Sequence, residues 1–494
     1  MGKKSVLGLL ILIFIVGINT RTSGTLHGAF AFTFDQGRDL LVIKEMVDQR
    51  SVRLIGPPVG EIEGMFHGVW WYWLLLPLYL VFRGNPQLIL LAFNIINAGA
   101  IIIVFFFGKA VKNDYLGLIF ASLIAVSPNF ISTSAQLWNP NLVPLLVIIY
   151  LFILWKFLQK QITLPWLSCI LGLIIEFHIG YGSMLLIATL LTLTLYKKWP
   201  DIREILISFM TFGIWIIPRL IFEFRHNFLQ TKSFLQYIFH QQAIHTSLPL
   251  LNRLLDRAAA MWGIFLNAFA YGNTFVGIII LCILVAYLYS IFIKPKNQKF
   301  SKERFYLKVL MTIILGIFIC TIIYPNILWN YYLIGFPALI VPFIALSIYW
   351  LISKYHKLGT IFAITLVIYN FAPWGFFSPF WAGDASVYRN QIKTIDAIYK
   401  QAQGKIFNVS VYSPSLIDYN YEYLFGWYGL KNYGYMPDRN NELSMIFFII
   451  EPDPWNKGLR TVWIKDREGD GKIIWQQKFN GDIFVQQRIR VNTN

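Results

Sequence analysis

The segment that decides the fold spans residues 87–107 and reads QLILLAFNIINAGAIIIVFFF, with no charged side chain. As an α-helix this segment is about 32 Å long, because each residue adds about 1.5 Å, and the hydrocarbon core of a bilayer is about 30 Å thick. The whole chain agrees, since 56% of its 494 residues are hydrophobic and 14% are charged, against about 25% charged in soluble domains. The composition excludes a soluble globular protein and a disordered chain.

Similar apolar runs recur along the first three quarters of the chain. Together they predict a polytopic α-helical membrane protein with about eleven transmembrane helices, some of them shorter than the usual 17 to 25 residues. The predicted spans cover residues 6–20, 87–107, 115–128, 141–155, 164–175, 181–196, 205–222, 273–293, 305–324, 331–353 and 358–371.

The positive charge of the chain indicates its orientation. Lys and Arg number 42 and Asp and Glu 25, a net charge of +17, which in a soluble protein would suggest nucleic acid. Here the basic residues lie between spans, so no nucleic acid partner is expected, and basic loops usually stay in the cytoplasm. Every second loop is basic, which predicts a cytoplasmic N-terminus; these segments are residues 3–4, 109–112, 156–160, 197–198, 294–304 and 354–357.

The same parity places the first long loop, residues 22–83, on the extracytoplasmic side. Within it, residues 67–82 are strongly apolar, contain Pro77 and begin with the aromatic cluster Trp70–Trp73. Trp and Tyr prefer the membrane interface, so we interpret this segment as an interfacial helix. The alternative, a short span, would move every later basic loop to the outside.

After residue 371 the composition changes to that of a soluble domain. Alternating patterns predict strands at 406–412, 443–450, 472–475 and 484–489, and helices at 383–403 and 416–430. We therefore predict a membrane domain over residues 1–371 and a small extracytoplasmic α/β or α+β domain over residues 372–494.

The first outer loop contains the densest set of polar residues. On a helix Asp35, Arg38 and Asp39 share one face, at positions i, i+3 and i+4. The apolar residues between 40 and 47 give that helix a second face, which predicts an amphipathic helix lying along the membrane. The simpler interpretation is that Asp35 caps the helix and that Arg38 and Asp39 form a solvated pair.

Four short motifs follow one another in a fixed order. They are Phe34-Asp35-Gln36-Gly37-Arg38-Asp39, the segment 64–68 leading into Trp70–Trp73, Gln136-Leu137-Trp138-Asn139-Pro140-Asn141, and Asn330-Tyr331-Tyr332-Leu333 with Pro337. This order resembles the GT-C superfamily of membrane glycosyltransferases, in particular the branch of protein O-mannosyltransferases and aminoarabinose transferases. The resemblance extends over about residues 1–371.

The resemblance implies inverting transfer of a sugar from a polyprenyl-phosphate donor at the outer membrane face, with Asp35 as the general base. The family often has a second acidic residue beside the first; here Gln36 follows and Asp39 lies one turn away, which leaves the metal site unknown and a divalent cation only possible. A lipid phosphate leaves already ionised, so one base suffices if cations stabilise it. The candidate donor- and phosphate-binding residues are Arg38, Asp39, His67, His178, Arg219, Arg225 and His226.

Each of these candidates also has a simpler role. Arg219 follows Pro218 near a helix end and could extend to lipid headgroups. His67 could cap the interfacial helix, and His178 could be a hydrogen-bonded turn residue.

Two other classes of function stay open at this point. A transporter or flippase would show repeated halves and charges at mid-membrane, and the sequence has neither pattern. A polysaccharide polymerase or ligase would use a long glycan donor. The expected partners are a polyprenyl-phosphate-linked sugar, membrane lipid, and a protein, lipid or polysaccharide acceptor.

Overall fold

The computed structural model describes residues 2–60, 62–239, 249–293, 301–374 and 381–490. Residues 294–300 of the predicted basic loop 294–304 lie outside the described residues, as does Glu61. The membrane part contains helices α1 (Lys3–Leu26), α2 (Phe34–Asp48), α3 (Trp70–Phe82), α4 (Pro86–Val111), α5 (Asp114–Val126), α6 (Pro128–Ser134), α7 (Val143–Leu158), α8 (Leu164–Phe177), α9 (Ile179–Leu195), α10 (Ile202–Arg225), α11 (Leu229–Phe239), α12 (Leu250–Phe269), α13 (Thr274–Phe292), α14 (Ser301–Ile323), α15 (Phe336–Lys354) and α16 (His356–Ala372), with a short hairpin of β1 (Ile55–Pro58) and β2 (Phe66–Gly68).

All eleven predicted spans coincide with apolar helices. Among the described residues, seven helices are long and apolar enough to cross a membrane, and α5 with α6 makes an eighth that is bent by 57°. The other three predicted spans, α8, α9 and α16, are apolar but have between 10 and 17 residues. The polytopic helical membrane fold is therefore confirmed, with fewer full-length spans than the predicted eleven.

The bend between α5 and α6 has a clear physical cause. Pro128 begins α6 and has no backbone N–H, so the α5 ladder stops at Val126. Arg21 of α1, which is 2% exposed, takes over the freed acceptors: its guanidinium donates to the carbonyls of Ile124 at 2.8 Å and Ala125 at 3.1 Å. A buried side chain of the first helix thus fixes the break in the fifth.

Helix α3 is only 13 residues long, about 20 Å at 1.5 Å per residue. This is shorter than the hydrocarbon core and agrees with an interfacial position for residues 67–82. Its inner side chains Trp71 and Leu75 are fully buried, and the Trp70 indole donates to the carbonyl of Trp215 at 2.7 Å.

Two expectations about the outer segments are wrong. Helix α2 does not lay its apolar face along the membrane, because Leu40, Ile43 and Met46 are buried in the protein core. The chain after residue 381 covers this helix: a Cβ at Gly37 would lie 2.3 Å from the backbone nitrogen of Asn420. Helices α11 and α12 also lie between the predicted spans 205–222 and 273–293, where no helix was predicted from the sequence.

The C-terminal part forms a four-stranded sheet with flanking helices. Its elements are α17 (Tyr388–Ala402), β3 (Asn408–Tyr412), α18 (Tyr419–Leu424), α19 (Leu430–Tyr433), β4 (Met445–Ile450), α20 (Lys457–Asp466), β5 (Lys472–Lys478) and β6 (Phe484–Ile489). The strand order is β3-β4-β6-β5, with β3 and β4 parallel and the other pairs antiparallel. Strand β4, sequence MIFFII, is buried from Ile446 onward, as expected for a central strand covered on both faces. The predicted small mixed domain is confirmed.

Hydrogen bonds to the backbone join this domain to the segment between α1 and α4. The N–H of Phe32 donates to Ser386, and the N–H of Tyr388 donates to Phe30, at 2.8 and 2.9 Å. The Tyr423 hydroxyl donates to the carbonyl of Gly84 at 2.5 Å. The domain therefore braces α2, the helix that carries Asp35.

Candidate functional site

Helix α2 begins directly before the candidate acidic residue. The Gln36 side-chain carbonyl accepts from the backbone N–H and the hydroxyl of Thr33, at 2.8 and 2.6 Å, so Thr33 and Gln36 close the helix N-terminus. Asp35 is consequently not the cap, contrary to the simpler interpretation of the sequence. The Gln36 amide also donates to the carbonyl of Leu137 at 3.1 Å, which ties the start of α2 to the loop before α7.

The guanidinium of Arg38 connects the two aspartates, as the helical spacing predicts. Its Nη1 lies 2.9 Å from Asp35 Oδ1, and its Nη2 lies 2.8 Å from Asp39 Oδ1. The two carboxylates differ in exposure, 34% for the side chain of Asp35 and 1% for that of Asp39. Only Asp35 presents a carboxylate that a substrate can reach.

Asp39 is a buried partner of Arg38 and not part of a solvated pair. The Trp71 indole donates to its Oδ2 at 2.7 Å, and the Tyr72 hydroxyl lies 3.4 Å from its Oδ1. Burial raises the pKa of Asp39, while the Arg38 guanidinium opposes that rise. We call Asp35, Arg38, Asp39 and Trp71 the Arg38 cluster.

A second cluster forms around Arg219, where α10 meets α8 and β2. Arg219 Nε donates to Glu176 Oε1 at 3.0 Å, and its Nη1 donates to the carbonyl of Phe66 at 2.8 Å and to Gln230 Oε1 at 3.0 Å. Its side chain is 16% exposed and is held by protein groups, so it does not serve as a headgroup anchor. A Cβ at position 68 would lie 2.0 Å from Glu176 Oε2, which explains the glycine there.

Two histidines complete this Arg219 cluster, which comprises His67, Glu176, His178, Arg219 and Gln230. The rings of His67 and His178 are 5.6 Å apart. His178 is the N-cap of α9, and its Nδ1 accepts from the N–H of Tyr181 at 3.1 Å. It is therefore a hydrogen-bonded turn residue, as the simpler interpretation of the sequence expected. Burial lowers the pKa of His178 to about 4; burial, His178, Arg219 and Arg38 together lower that of His67 well below its usual value.

Several polar atoms of the Arg219 cluster are left without partners. Within the described part of the chain, five buried atoms of this cluster make no hydrogen bond: His67 Nδ1, His178 Nε2, Glu176 Oε2, Arg219 Nη2 and Gln230 Nε2. Buried polar atoms are normally satisfied, so this group of free donors and acceptors is the feature expected of a polar ligand site.

The two remaining predicted residues lie elsewhere. Arg225 and His226 are exposed at the end of α10, and the His226 ring stacks on Phe222 with its Nδ1 2.9 Å from that residue's carbonyl oxygen. Glu176 and Gln230, by contrast, were not among the predicted site residues. Glu176 could have been found, since a carboxylate closing an apolar run is costly and usually functional.

A cavity of about 710 Å³ lies near the Arg219 cluster. Tyr331 links it to the histidines, because its ring is 6.0 Å from that of His178 and 5.3 Å from that of Trp138. The cavity is lined by Pro128, Asn129, Ser132, Thr133, Ala259, Ala260, Gly263, Ile264, Asn267, Tyr271, Asn330, Tyr331, Leu333, Ile334 and Trp374.

The acidic residues of the site do not match a metal centre. Across the described ranges no group of three or more His, Cys, Asp or Glu side chains is arranged to hold a metal ion. The Arg38 guanidinium already bonds both Asp35 and Asp39. We therefore assign no step to a divalent cation.

Comparison with known proteins supports the fold. The sequence matches no protein-family model and is not significantly similar to any curated protein. Among solved structures it resembles ArnT from Cupriavidus metallidurans bound to undecaprenyl phosphate, with a TM-score of 0.57 and 9% identity over 99% of this chain and 98% of that one. The apo form of ArnT gives a TM-score of 0.56 and 10% identity over 98% and 97%.

An oligosaccharyltransferase from Archaeoglobus fulgidus, in a complex with Zn and sulfate, is also similar, with a TM-score of 0.50 and 15% identity over 79% of this chain. This chain spans about half the length of that protein, 55%. The chain therefore shares the fold of these solved structures, which here is an assembly of apolar helices followed by a C-terminal domain.

Proposed function

We propose that this protein is a membrane glycosyltransferase that moves a sugar from a polyprenyl-phosphate donor to an acceptor hydroxyl on the extracytoplasmic face, with inversion at the anomeric carbon. The observation that carries the proposal is the Arg38 cluster, which leaves one reachable carboxylate, Asp35, beside one buried carboxylate, Asp39. The fold shared with ArnT supports the donor class, since that protein was crystallised with undecaprenyl phosphate.

The reaction needs one base. The acceptor oxygen attacks the anomeric carbon as the bond from that carbon to the phosphate oxygen breaks, and the hydroxyl proton passes to the Asp35 carboxylate. The polyprenyl phosphate leaves as an anion and takes no proton, so a general acid is unnecessary. A single displacement of this kind inverts the anomeric centre.

Arg38 and Asp39 position the base. Asp39 is 1% exposed and bonded by Trp71, so it holds the Arg38 guanidinium on its buried side. Arg38 then holds Asp35 Oδ1 at 2.9 Å and leaves Oδ2 of that carboxylate for the acceptor proton. Positioning of this sort is a large part of what an active site contributes.

The Arg219 cluster is suited to the donor phosphate. Arg219 Nη2 is buried and unpartnered within the described residues, and a guanidinium N–H is a strong donor to a phosphate oxygen. His67 Nδ1 and His178 Nε2 are neutral-ring nitrogens, because burial keeps both pKa values low. They can donate hydrogen bonds, while the positive charge comes from Arg219 and Arg38.

The test is a transfer assay on membranes that contain the protein, with a panel of labelled polyprenyl-phosphate sugars. Wild type is compared with Asp35→Asn and with the matched control Asp48→Asn, a carboxylate near the other end of α2 whose side chain is 56% exposed. We expect label to move from lipid to product in wild type and in the control, and not in Asp35→Asn.

Other outcomes would identify the competing functions. Movement of intact labelled lipid between leaflets without transfer would favour the flippase. Products that carry many sugar units from one donor molecule would favour the polymerase or ligase. Undiminished transfer in Asp35→Asn would remove Asp35 from the role of base.

A separate experiment tests the orientation of the protein in the membrane. We propose a cytoplasmic N-terminus and an extracytoplasmic C-terminal domain, from the basic loops. Proteolysis of sealed vesicles, with immunodetection of the C-terminus, distinguishes the two orientations.

A further inference from the structure

The cavity beside the Arg219 cluster has an unusual lining. Its polar groups are amides, hydroxyls and aromatic side chains, from Asn129, Asn267, Asn330, Tyr331 and Trp374 among others, and none of its lining residues within the described ranges is charged. This contrasts with the two arginine-centred clusters nearby. The size, about 710 Å³, is within the range of roughly 300–1,000 Å³ typical of small-molecule sites.

Two buried atoms at the cavity wall lack partners. Asn129 Oδ1 and Trp374 Nε1 make no hydrogen bond to any described part of the protein. One is an acceptor and the other a donor, so a ligand that satisfies both when these side chains turn toward the cavity must itself donate and accept. Hydroxyl groups have this property.

An anionic ligand does not fit this wall. Carboxylates and phosphates are normally bound by Arg or Lys, and an anion without such a partner pays a large desolvation cost. The nearest acidic residue on α12, Asp256, lies one turn before Ala260 and is held by Arg257 Nη1 at 2.5 Å. The ligand class that fits is therefore neutral and rich in hydroxyl groups. The aromatic rings of Tyr331 and Trp374 can pack against the apolar C–H groups of a sugar.

The cavity is built into the fold. Asn129, Ser132 and Thr133 lie on α6, the segment after the bend that Arg21 fixes. Tyr331 joins the cavity to His178, and Trp138, next to Leu137 whose carbonyl accepts from Gln36, joins it to the start of α2. The lining residues themselves lie outside both clusters, and the ring of Tyr331 provides the contact between the cavity and His178.

We infer that this cavity binds a neutral saccharide unit, either the sugar of the donor or the glycan of the acceptor. The inference rests on the proposed function and adds to it the chemical class of the group bound there. It excludes from this position uronic acids and sugars that carry a phosphate group of their own, apart from the phosphate that joins the donor sugar to its lipid.

The test uses full-length protein and the donor found active in the transfer assay. Asn267→Leu and Asn330→Leu each remove an amide from the wall, and Asn252→Leu on the exposed face of α12, outside the cavity, is the matched control. Loss of one neutral hydrogen bond should raise a KM by about 3- to 10-fold. A rise in the donor KM assigns the donor sugar, a rise in the acceptor KM assigns the acceptor glycan, and the control should match wild type.

A variant that adds a charge to the cavity wall tests whether the bound sugar is neutral. Asn267→Lys should raise the same KM, because a cation gains nothing from a neutral sugar. A lowered KM for an anionic substrate in this variant would overturn the inference, as would unchanged donor and acceptor KM values in both folded leucine variants. Absence of transfer from every donor in wild type would instead refute the proposed function itself.

Discussion

The two arginine-centred clusters are built from similar parts and differ in how completely those parts are paired. In the Arg38 cluster the guanidinium bonds two carboxylates, and Asp39 is further bonded by Trp71. In the Arg219 cluster one guanidinium nitrogen, two imidazole nitrogens, one amide nitrogen and one carboxylate oxygen have no partner in the described part of the chain. The fully paired Arg38 cluster holds its own geometry, whereas the Arg219 cluster has unpaired atoms that can bind a ligand.

This difference predicts that the Arg38 cluster serves the chemical step and that the Arg219 cluster serves substrate binding. Asp35, 34% exposed at the edge of the Arg38 cluster, is suited to act on a proton without moving. The free atoms around Arg219 are suited to an incoming polar group. The substitutions below are expected to affect kcat in the first cluster and KM in the second.

The largest expected effect is that of Asp35→Asn. Removal of a general base typically lowers kcat by about 100- to 10,000-fold, and the donor KM should stay within about twofold because the Arg219 cluster is untouched. Steady-state transfer kinetics with both substrates varied would measure this. An increase in donor KM with unchanged kcat would show that Asp35 binds the donor, and the two clusters would then not differ in role.

Next in size is Arg219→Ala. A charge-assisted hydrogen bond contributes about 1.5–3 kcal/mol, so the donor KM should rise by roughly 10- to 100-fold, with a smaller change in kcat. Arg203→Ala, exposed at the other end of α10, is the matched control. If Arg219→Ala lowers kcat and leaves the donor KM unchanged, the phosphate is not bound at this cluster.

A smaller effect is expected for Trp71→Phe. The substitution keeps the ring but removes the N–H that lies 2.7 Å from Asp39 Oδ2, which should destabilise the fold by about 1–3 kcal/mol because a buried carboxylate oxygen loses its donor. Trp73→Phe is the control, since the Trp73 indole nitrogen has no partner among the described residues. Thermal unfolding of both variants in detergent micelles makes the comparison; equal unfolding temperatures would mean that Asp39 does not depend on Trp71.

The smallest expected effect concerns pH. Burial holds the pKa of His178 at about 4 and lowers that of His67 well below its usual value, so we expect both rings to be neutral in the free protein near neutral pH. The profile of kcat/KM for the donor, which reports groups of the free enzyme, should show no step from these rings between about pH 5.5 and 7.5. A step near pH 6.5 that disappears in His178→Asn would show a charged imidazole in the free protein.

Much of this architecture is predictable from the sequence because a bilayer imposes strict requirements. Each span needs a long apolar run, and all eleven predicted runs are helices. The face formed by Asp35, Arg38 and Asp39 was predictable for a similar reason, since it depends only on helical spacing. Helix α12 was missed because Arg253, Asp256 and Arg257 interrupt its apolar pattern.

The Arg219 cluster could not be predicted from spacing. The carbonyl of Phe66 and the guanidinium of Arg219 are 153 residues apart in the chain, and their contact depends on how α8, α10 and the β2 hairpin pack. The position of α2 depends in the same way on the C-terminal domain, which covers Gly37. Sequence patterns report local geometry, whereas these contacts arise from tertiary packing.

The bent α5–α6 pair has a consequence for biogenesis. Arg21 lies on α1, and the carbonyls it bonds belong to residues 103 and 104 positions later. A charged side chain on an apolar helix is costly in the membrane unless it finds partners, so α1 inserts less favourably alone than beside α5. The bend is therefore complete only after synthesis has reached α5 and the two helices have packed against each other.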